Sequence, residues 1–204
     1  MRTRVKICGI TNLKDAVHAV EAGADALGFI FVPETPRYID PSDAANIIGS
    51  IPPFISTVGV FKDEEKSKVQ RFVIETGITY IQLHGIETPE YCEEFSLPVI
   101  KVFEFNEKSN LSILDSYNVN AHLVDKPKSK KGTANWNVAV SAKRYSNRLI
   151  LAGGLTPENV SEAIRYVKPY AVDVASGVEY EKGRKDHCKM NLFIQEVRKT
   201  ETTL

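Results

Sequence analysis

The sequence predicts one domain over residues 1–204, an α/β fold in which eight parallel strands close into a (β/α)8 barrel. Three observations predict it. Short apolar runs rich in β-branched residues recur eight times along the chain. Amphipathic stretches with recognisable helix starts separate them, and that alternation has two main solutions, an open doubly wound sheet or a closed barrel. Eight units with no Gly-x-Gly-x-x-Gly after the first strand favour the closed, TIM-barrel architecture.

Taken in order, the strand candidates are residues 5–8, 26–32, 56–61, 80–83, 99–105, 122–125, 149–151 and 171–175. Several are nearly continuous in hydrophobicity, as strands buried on both faces should be. Between the first two, Thr11 or Asn12 caps a helix through Glu21, and Gly23 stops it. Pro41-Ser42-Asp43 and Asp63-Glu64-Glu65 open two more helices. Thr88-Pro89-Glu90 and Thr156-Pro157-Glu158 each place a capping hydroxyl before a first-turn proline and an acid favoured by the helix dipole. Residues 107–117 and 137–145 read as weaker helices, and residues 186–198 form the closing one.

Composition narrows the function classes. The 204 residues are 43% hydrophobic and 25% charged, which suits a soluble globular chain. Lys plus Arg and Asp plus Glu both total 26, so no net field invites nucleic acid or an anionic membrane. An anion must instead be captured by a few well-placed groups. Three widely spaced cysteines, Cys8, Cys92 and Cys188, fit free thiols in a reducing compartment better than a disulfide framework or zinc site. The start, MRTRVKICGI, has no apolar stretch suited to a signal peptide, and no segment approaches a membrane span. The expectation is a cytoplasmic protein.

Chemistry in such barrels sits on the loops that follow each strand. Those loops hold Cys8-Gly9-Ile10-Thr11, Pro36-Arg37, Gln82-Leu83-His84-Gly85, Asp125-Lys126, Gly153-Gly154 and Ser176-Gly177. Cys8 reads either as a small buried hydrophobe or as a reactive thiol. An ordinary thiol of pKa ~8.5 is a few per cent thiolate at neutral pH, and a nearby cation increases that fraction. Asp125 is a loop carboxylate or a general acid. With an ordinary pKa near ~3.9 it would be protonated in roughly one molecule per thousand at pH 7, a penalty of about 4 kcal/mol. A catalytic acid here therefore needs a raised pKa.

Gly153-Gly154 and Ser176-Gly177 end adjacent strands, where glycine lets backbone N–H groups approach a phosphate; the bland reading is a pair of tight turns. Arg37 is either a planar fork for a carboxylate or a solvated surface arginine. Gln82 and His84 face the mouth if the strand register holds. The basic run at residues 126–131 reads as a solvated loop, Cys92 and Cys188 as structural helix residues, and Trp136 as core or lid packing.

Together these motifs resemble the phosphoribosylanthranilate isomerase family of tryptophan biosynthesis. The pieces are Lys6-Ile7-Cys8-Gly9-Ile10-Thr11, Pro36-Arg37-Tyr38-Ile39, Val58-Gly59-Val60-Phe61, Gln82-Leu83-His84-Gly85, Leu123-Val124-Asp125, Leu151-Ala152-Gly153-Gly154-Leu155 and Asp173-Val174-Ala175-Ser176-Gly177-Val178-Glu179. They span nearly the whole chain in the family's order. The resemblance implies an Amadori rearrangement of N-(5'-phosphoribosyl)anthranilate with no cofactor and no metal. It implies Asp125 as general acid and Cys8 as general base. Arg37, Gln82, His84 and Asp173 then bind the substrate, and Gly153, Gly154, Ser176 and Gly177 its phosphate. The implied partner is this small phosphorylated substrate alone; no oligomeric state is assigned.

One segment departs from the family. Its usual Gly-Gly-Thr-Gly loop followed by Phe-Asp-Trp is replaced by Lys130-Lys131-Gly132-Thr133-Ala134-Asn135-Trp136. Glycines there would supply lid flexibility and backbone donors. Two other readings compete: a barrel isomerase for another phosphoribosyl amine, usually run by two aspartates, and a catalytically silent barrel that binds a phosphorylated ligand or a protein. Cys8 at the first strand end argues against the former.

Overall fold

In the computed structural model, which describes residues 2–126 and 136–202, eight parallel strands close into a barrel in chain order. The strands are β1 (Arg4–Cys8), β2 (Ala26–Ile30), β3 (Ser56–Phe61), β4 (Tyr80–Leu83), β5 (Val99–Glu104), β6 (Ala121–Asp125), β7 (Leu149–Leu151) and β8 (Ala171–Val174). β8 pairs back onto β1 through Lys6↔Asp173 and Ile7↔Val174, which closes the ring and leaves no sheet edge.

Period-two alternation divides the strand residues into two cores. Val5, Ile7, Leu27, Phe29, Leu83 and Val124 point outward and join the helices in one apolar layer. Val58, Ile100, Val102, Leu123 and Ile150 fill the barrel itself. Small Ala26, Ala121 and Ala171 in the lowest interior layer leave a cavity of about 310 Å³ at the amino end, rimmed by Arg4, Tyr80, Arg148 and Tyr170. The interior therefore thins at the amino end, while polar side chains collect at the carboxyl end.

Helices α1 (Leu13–Ala22), α2 (Pro41–Ser50), α3 (Lys66–Thr76), α4 (Pro89–Glu93), α5 (Trp136–Ala142), α6 (Val160–Val167) and α7 (His187–Thr202) lie outside. Asn12 caps α1 by accepting from the Asp15 N–H, Asp40 caps α2 ahead of Pro41, and Thr88 caps α4 ahead of Pro89. No helix among the described residues is long and apolar enough to cross a membrane.

The structure corrects the expected elements in four places. Residues 107–117 do not form an α-helix; a 3-10 helix spans Leu111–Ser116. Asn110 accepts from the N–H and hydroxyl of Ser112, and the Ser116 hydroxyl donates to the Ile113 carbonyl. Such local side-chain bonds compete with α-helix formation. α6 begins at Val160 rather than after Thr156, because Asn159 accepts from the Thr156 N–H and donates to the Gly154 carbonyl. Its side chain thereby ties the first residues to the β7 turn. The segment from Trp136 onward is split into α5 and a 3-10 turn at Lys143–Tyr145.

An unforeseen hairpin, β9 (Glu179–Glu181) with β10 (Arg184–Lys185), follows β8. Residues 127–135, which include most of the basic run and the altered loop at 130–135, lie outside the described residues.

Candidate active site

The alternation that buries Val5 and Ile7 outward turns Lys6 and Cys8 inward. Cys8 is 5% exposed at the carboxyl end of β1. Its carbonyl accepts from the Lys185 ammonium at 2.6 Å. Burial pushes the Cys8 thiol up, while the neighbouring Lys6 ammonium opposes that rise. Lys6 in turn lies 2.8 Å from Asp173 Oδ1, both side chains being buried in the barrel.

Asp125 ends β6 on the same mouth. Its Oδ1 accepts from the Lys126 N–H at 2.7 Å. Burial raises the carboxyl to about 6, against the pull of that N–H, with Asp173 and Glu104 adding to the rise. At pH 7 a carboxyl of that pKa is protonated in roughly one molecule in ten, and the cost of the acid form falls from about 4 to about 1.4 kcal/mol. The raised pKa that the sequence argument required of a general acid is thus supplied by its surroundings.

Arg37 is not a free surface arginine. Its Nε and Nη2 donate to the two oxygens of Glu179 at 2.8 and 2.7 Å. Glu179 also accepts from Lys185 Nζ at 3.0 Å, and that lysine side chain is 0% exposed. Burial works against the Glu179 charge, but Arg37 and Lys185 outweigh it and hold the carboxyl below the usual range. The β9–β10 hairpin thereby anchors the arginine beside Cys8.

The two glycine turns stand together. Gly153 and Gly154 have φ of 89° and 73°, a region that side chains rarely adopt. A Cβ on Gly177 would lie 1.8 Å from the Leu155 carbonyl oxygen, so the turn after β8 packs directly on the turn after β7. Among the described residues no backbone carbonyl accepts from the Gly153 or Gly154 N–H.

Gln82 sits deeper than a mouth residue. It is 2% exposed inside the barrel, level with Val60 and Ile100, and its Oε1 has no hydrogen-bond partner among the described residues. His84 lies beyond β4, with Nε2 3.7 Å from Glu104 Oε1. Cys92 is buried on α4 and Cys188 is exposed on α7, so neither joins the site. Trp136 packs against Tyr166, ring centroids 6.3 Å apart.

Sequence reasoning missed Lys6, Glu179 and Lys185 as members of the site. Lys6 had a usable signal, since two residues before Cys8 on a strand is the same face. The other two arrive through the hairpin. Among the described residues no three His, Cys, Asp or Glu side chains cluster closely enough to hold a metal ion.

A buried thiol and a carboxyl raised to about 6, on one barrel mouth beside paired glycine turns, give this (β/α)8 barrel the groups that acid–base chemistry requires. The profile of the N-(5'phosphoribosyl)anthranilate (PRA) isomerase family matches residues 5–196. The chain is 50% identical over 200 residues to N-(5'-phosphoribosyl)anthranilate isomerase of Geobacter sulfurreducens, covering 96% of this chain and 98% of that one. Among solved structures, phosphoribosyl anthranilate isomerase from Thermotoga maritima superposes with a TM-score of 0.91 at 42% identity, over 97% of this chain and 99% of the other. A phosphoribosyl anthranilate isomerase in complex with reduced 1-(o-carboxyphenylamino)-1-deoxyribulose 5-phosphate matches with a TM-score of 0.89 at 40% identity, covering 97% of this chain and 99% of that one. The chain belongs to the N-(5'-phosphoribosyl)anthranilate isomerase family.

Proposed function

We propose that this chain isomerises N-(5'-phosphoribosyl)anthranilate to 1-(2-carboxyphenylamino)-1-deoxyribulose 5-phosphate, with Asp125 as general acid and Cys8 as general base. The observation that carries the assignment of roles is the Asp125 carboxyl, raised by burial to about 6 on the same mouth as Cys8. Asp125 protonates the furanose ring oxygen and the C1'–O bond opens to an iminium. That cation acidifies the C2' proton, which the Cys8 thiolate removes to give an enolamine. Tautomerisation then places a proton on C1' and leaves the ketone at C2'. The sequence is redox-neutral, so acid and base suffice.

β1 and β6 are separated by two strands of the ring, which suits groups that flank one substrate. Arg37, held by Glu179 through Nε and Nη2, offers its remaining N–H groups to the anthranilate carboxylate. His84, with Gln82 and Asp173 deeper in the barrel beneath it, is given to the sugar, and the Gly153-Gly154 and Ser176-Gly177 turns receive the phosphate through backbone N–H groups. The relative solved with a reduced phosphorylated product supports a ligand of this class. The three free cysteines fit a reducing, cytoplasmic setting.

The test is direct. Purified protein receives N-(5'-phosphoribosyl)anthranilate, and loss of its anthranilate-type fluorescence is followed. Absence of turnover by folded protein overturns the activity. Cys8→Ala and Asp125→Ala are expected to fold and to lose turnover, and activity retained in either one refutes the role given to that residue.

A further inference from the structure

A base that is buried needs something to keep its charge there, because burial alone favours the neutral thiol. The barrel supplies a candidate on the same strand. Lys6 and Cys8 face inward one strand period apart, and the β1–β2 register sets Cys8 opposite Gly28. A Cβ on Gly28 would lie 2.8 Å from Cys8 Sγ and 3.0 Å from Lys6 Nζ. The thiol and the ammonium therefore share the space that this glycine leaves open. Across the β1–β8 seam, Lys6 pairs in register with Asp173, and its Nζ lies 2.8 Å from Asp173 Oδ1.

We propose that Lys6 is a positioning residue for the reaction: its ammonium, held by Asp173 and set beside Cys8 over the Gly28 gap, stabilises the thiolate that Cys8 forms as base. This rests on the reading of Cys8 as the base. Asp173 fixes where that ammonium stands, while its own negative charge works against the thiolate. The chemistry is an ion-pair chain in which the central cation is shared between the Asp173 carboxylate and a thiolate that forms during turnover. In the buried barrel such a cation is screened little by solvent, so its effect on the thiol is large.

Among the described residues Lys185 also favours the charged sulfur, but less than Lys6 does. Lys185 spends its donors on the Cys8 and Ala175 carbonyls and on Glu179. Arg37, on the loop after β2, is paired through its Nε and Nη2 with the same Glu179. Lys6 itself has its ammonium favoured by Asp173 and by Cys8, against the cost of burial. Lys6 stands on the sulfur's own strand and on the same face of it.

Lys6→Met keeps the volume and removes the charge; Asp173→Asn removes the anion and leaves the cation. If Lys6 sets the thiolate, the two substitutions move Cys8 in opposite directions, which loss of structure does not produce. Alkylation by iodoacetamide at pH 8, resolved on the Cys8 peptide by mass spectrometry, reads the thiolate fraction, with exposed Cys188 as the internal reference. Lys6→Met is expected to slow Cys8 alkylation at least tenfold and to lower kcat similarly with KM within about threefold. Raising the pH restores part of that kcat. Asp173→Asn is expected to speed the alkylation, and Lys6→Arg to stay within threefold of the wild type.

A folded Lys6→Met protein alkylated on Cys8 at the wild-type rate overturns the proposal, and so does slowing in both variants. Should Lys6→Met fail to fold, Lys6→Gln takes its place with the same readout: Cys8 alkylation slowed at least tenfold supports the proposal, and alkylation at the wild-type rate sinks it. The result is separable from the base assignment. Turnover retained by Cys8→Ala removes Cys8 from the chemistry but leaves the alkylation comparison intact.

Discussion

Asp125 and Gly153 occupy one another's space: a Cβ on Gly153 would fall 2.6 Å from Asp125 Oδ1 and 2.7 Å from the Lys126 nitrogen. The end of β6 and the turn after β7 are thus built as one unit, in which the glycine leaves room for the acid and for the N–H that orients it.

That relationship makes Gly153→Ala a test of the acid's placement. The added methyl meets a backbone nitrogen that cannot yield cheaply, at a φ of 89° that alanine adopts only with strain. A destabilisation of roughly 1–3 kcal/mol is expected from the backbone conformation. Turnover is expected to fall about 100-fold, because an acid displaced by about 1 Å loses its line to the ring oxygen. Steady-state kinetics and urea unfolding check the two parts separately. Wild-type turnover in the variant would show that Asp125 needs no such cradle.

Asp125→Asn is expected to trade activity for stability. The folded carboxyl is raised by burial to about 6, above its unfolded value near 3.8. Below that unfolded value both states are protonated and the site costs nothing. As pH rises toward 6 the unfolded chain ionises first, so the wild type loses stability over that window and stays penalised above it. A shift of this size corresponds to about 2–3 kcal/mol at neutral pH. Asparagine keeps an oxygen for the Lys126 N–H without the charge. Its stabilisation should therefore be absent near pH 4 and full at pH 8, with turnover lost. Equal stability of the two proteins at pH 8 would contradict the raised carboxyl.

What could be read in the sequence follows from what is local. Eight β-branched runs and their caps dictate the barrel, because burial on both strand faces and helix termini are short-range properties. Cys8, Asp125 and the glycine turns could be singled out as candidates because they stand at strand ends. The partners were not. Asp173 meets Lys6 from 167 positions away, and Glu179 reaches Arg37 across 142. The Arg37 fork could be foreseen as a carboxylate binder, but not that the protein's own Glu179 takes two of its donors. Gln82 was expected at the mouth, yet the register sets it beside Ile100, deeper in the barrel. The failed helix at residues 107–117 came from serine and asparagine side chains binding nearby backbone, a competition that apolar periodicity does not register.

Gly177→Ala probes the phosphate turns. Its Cβ would overlap the Leu155 carbonyl oxygen at 1.8 Å, so the turns after β7 and β8 must part. If both turns hold one phosphate, KM for the substrate should rise at least about tenfold while kcat changes less, the signature of lost ground-state binding. Inorganic phosphate offers a second reading without turnover. It is expected to raise the Tm of the wild type, as any ligand of the native state does, and to have little effect on the variant. An unchanged KM with an unchanged phosphate shift would place the phosphate elsewhere.

The Arg37–Glu179–Lys185 cluster predicts a coupled loss. Glu179→Gln leaves Lys185, whose side chain is 0% exposed, facing Arg37 with no anion between them. Removing one partner of a buried pair costs about 3–5 kcal/mol, most of it the stranded charge. Adding Lys185→Met should return part of that cost, so the double variant is less destabilised than the sum of the singles by roughly 1–3 kcal/mol. The pH dependence has a definite sign. Glu179 is held below the usual carboxylate range when folded, so its contribution is present above the unfolded value and is lost as pH falls through the folded one. The gap between wild type and Glu179→Gln in urea unfolding should accordingly close as the solution is acidified below about pH 4. KM should rise with the same substitution, since Arg37 loses the carboxylate that aims its fork. Additive losses with an unchanged KM would mean that the hairpin merely fills space beside the site, and that Arg37 is positioned by the loop after β2 alone.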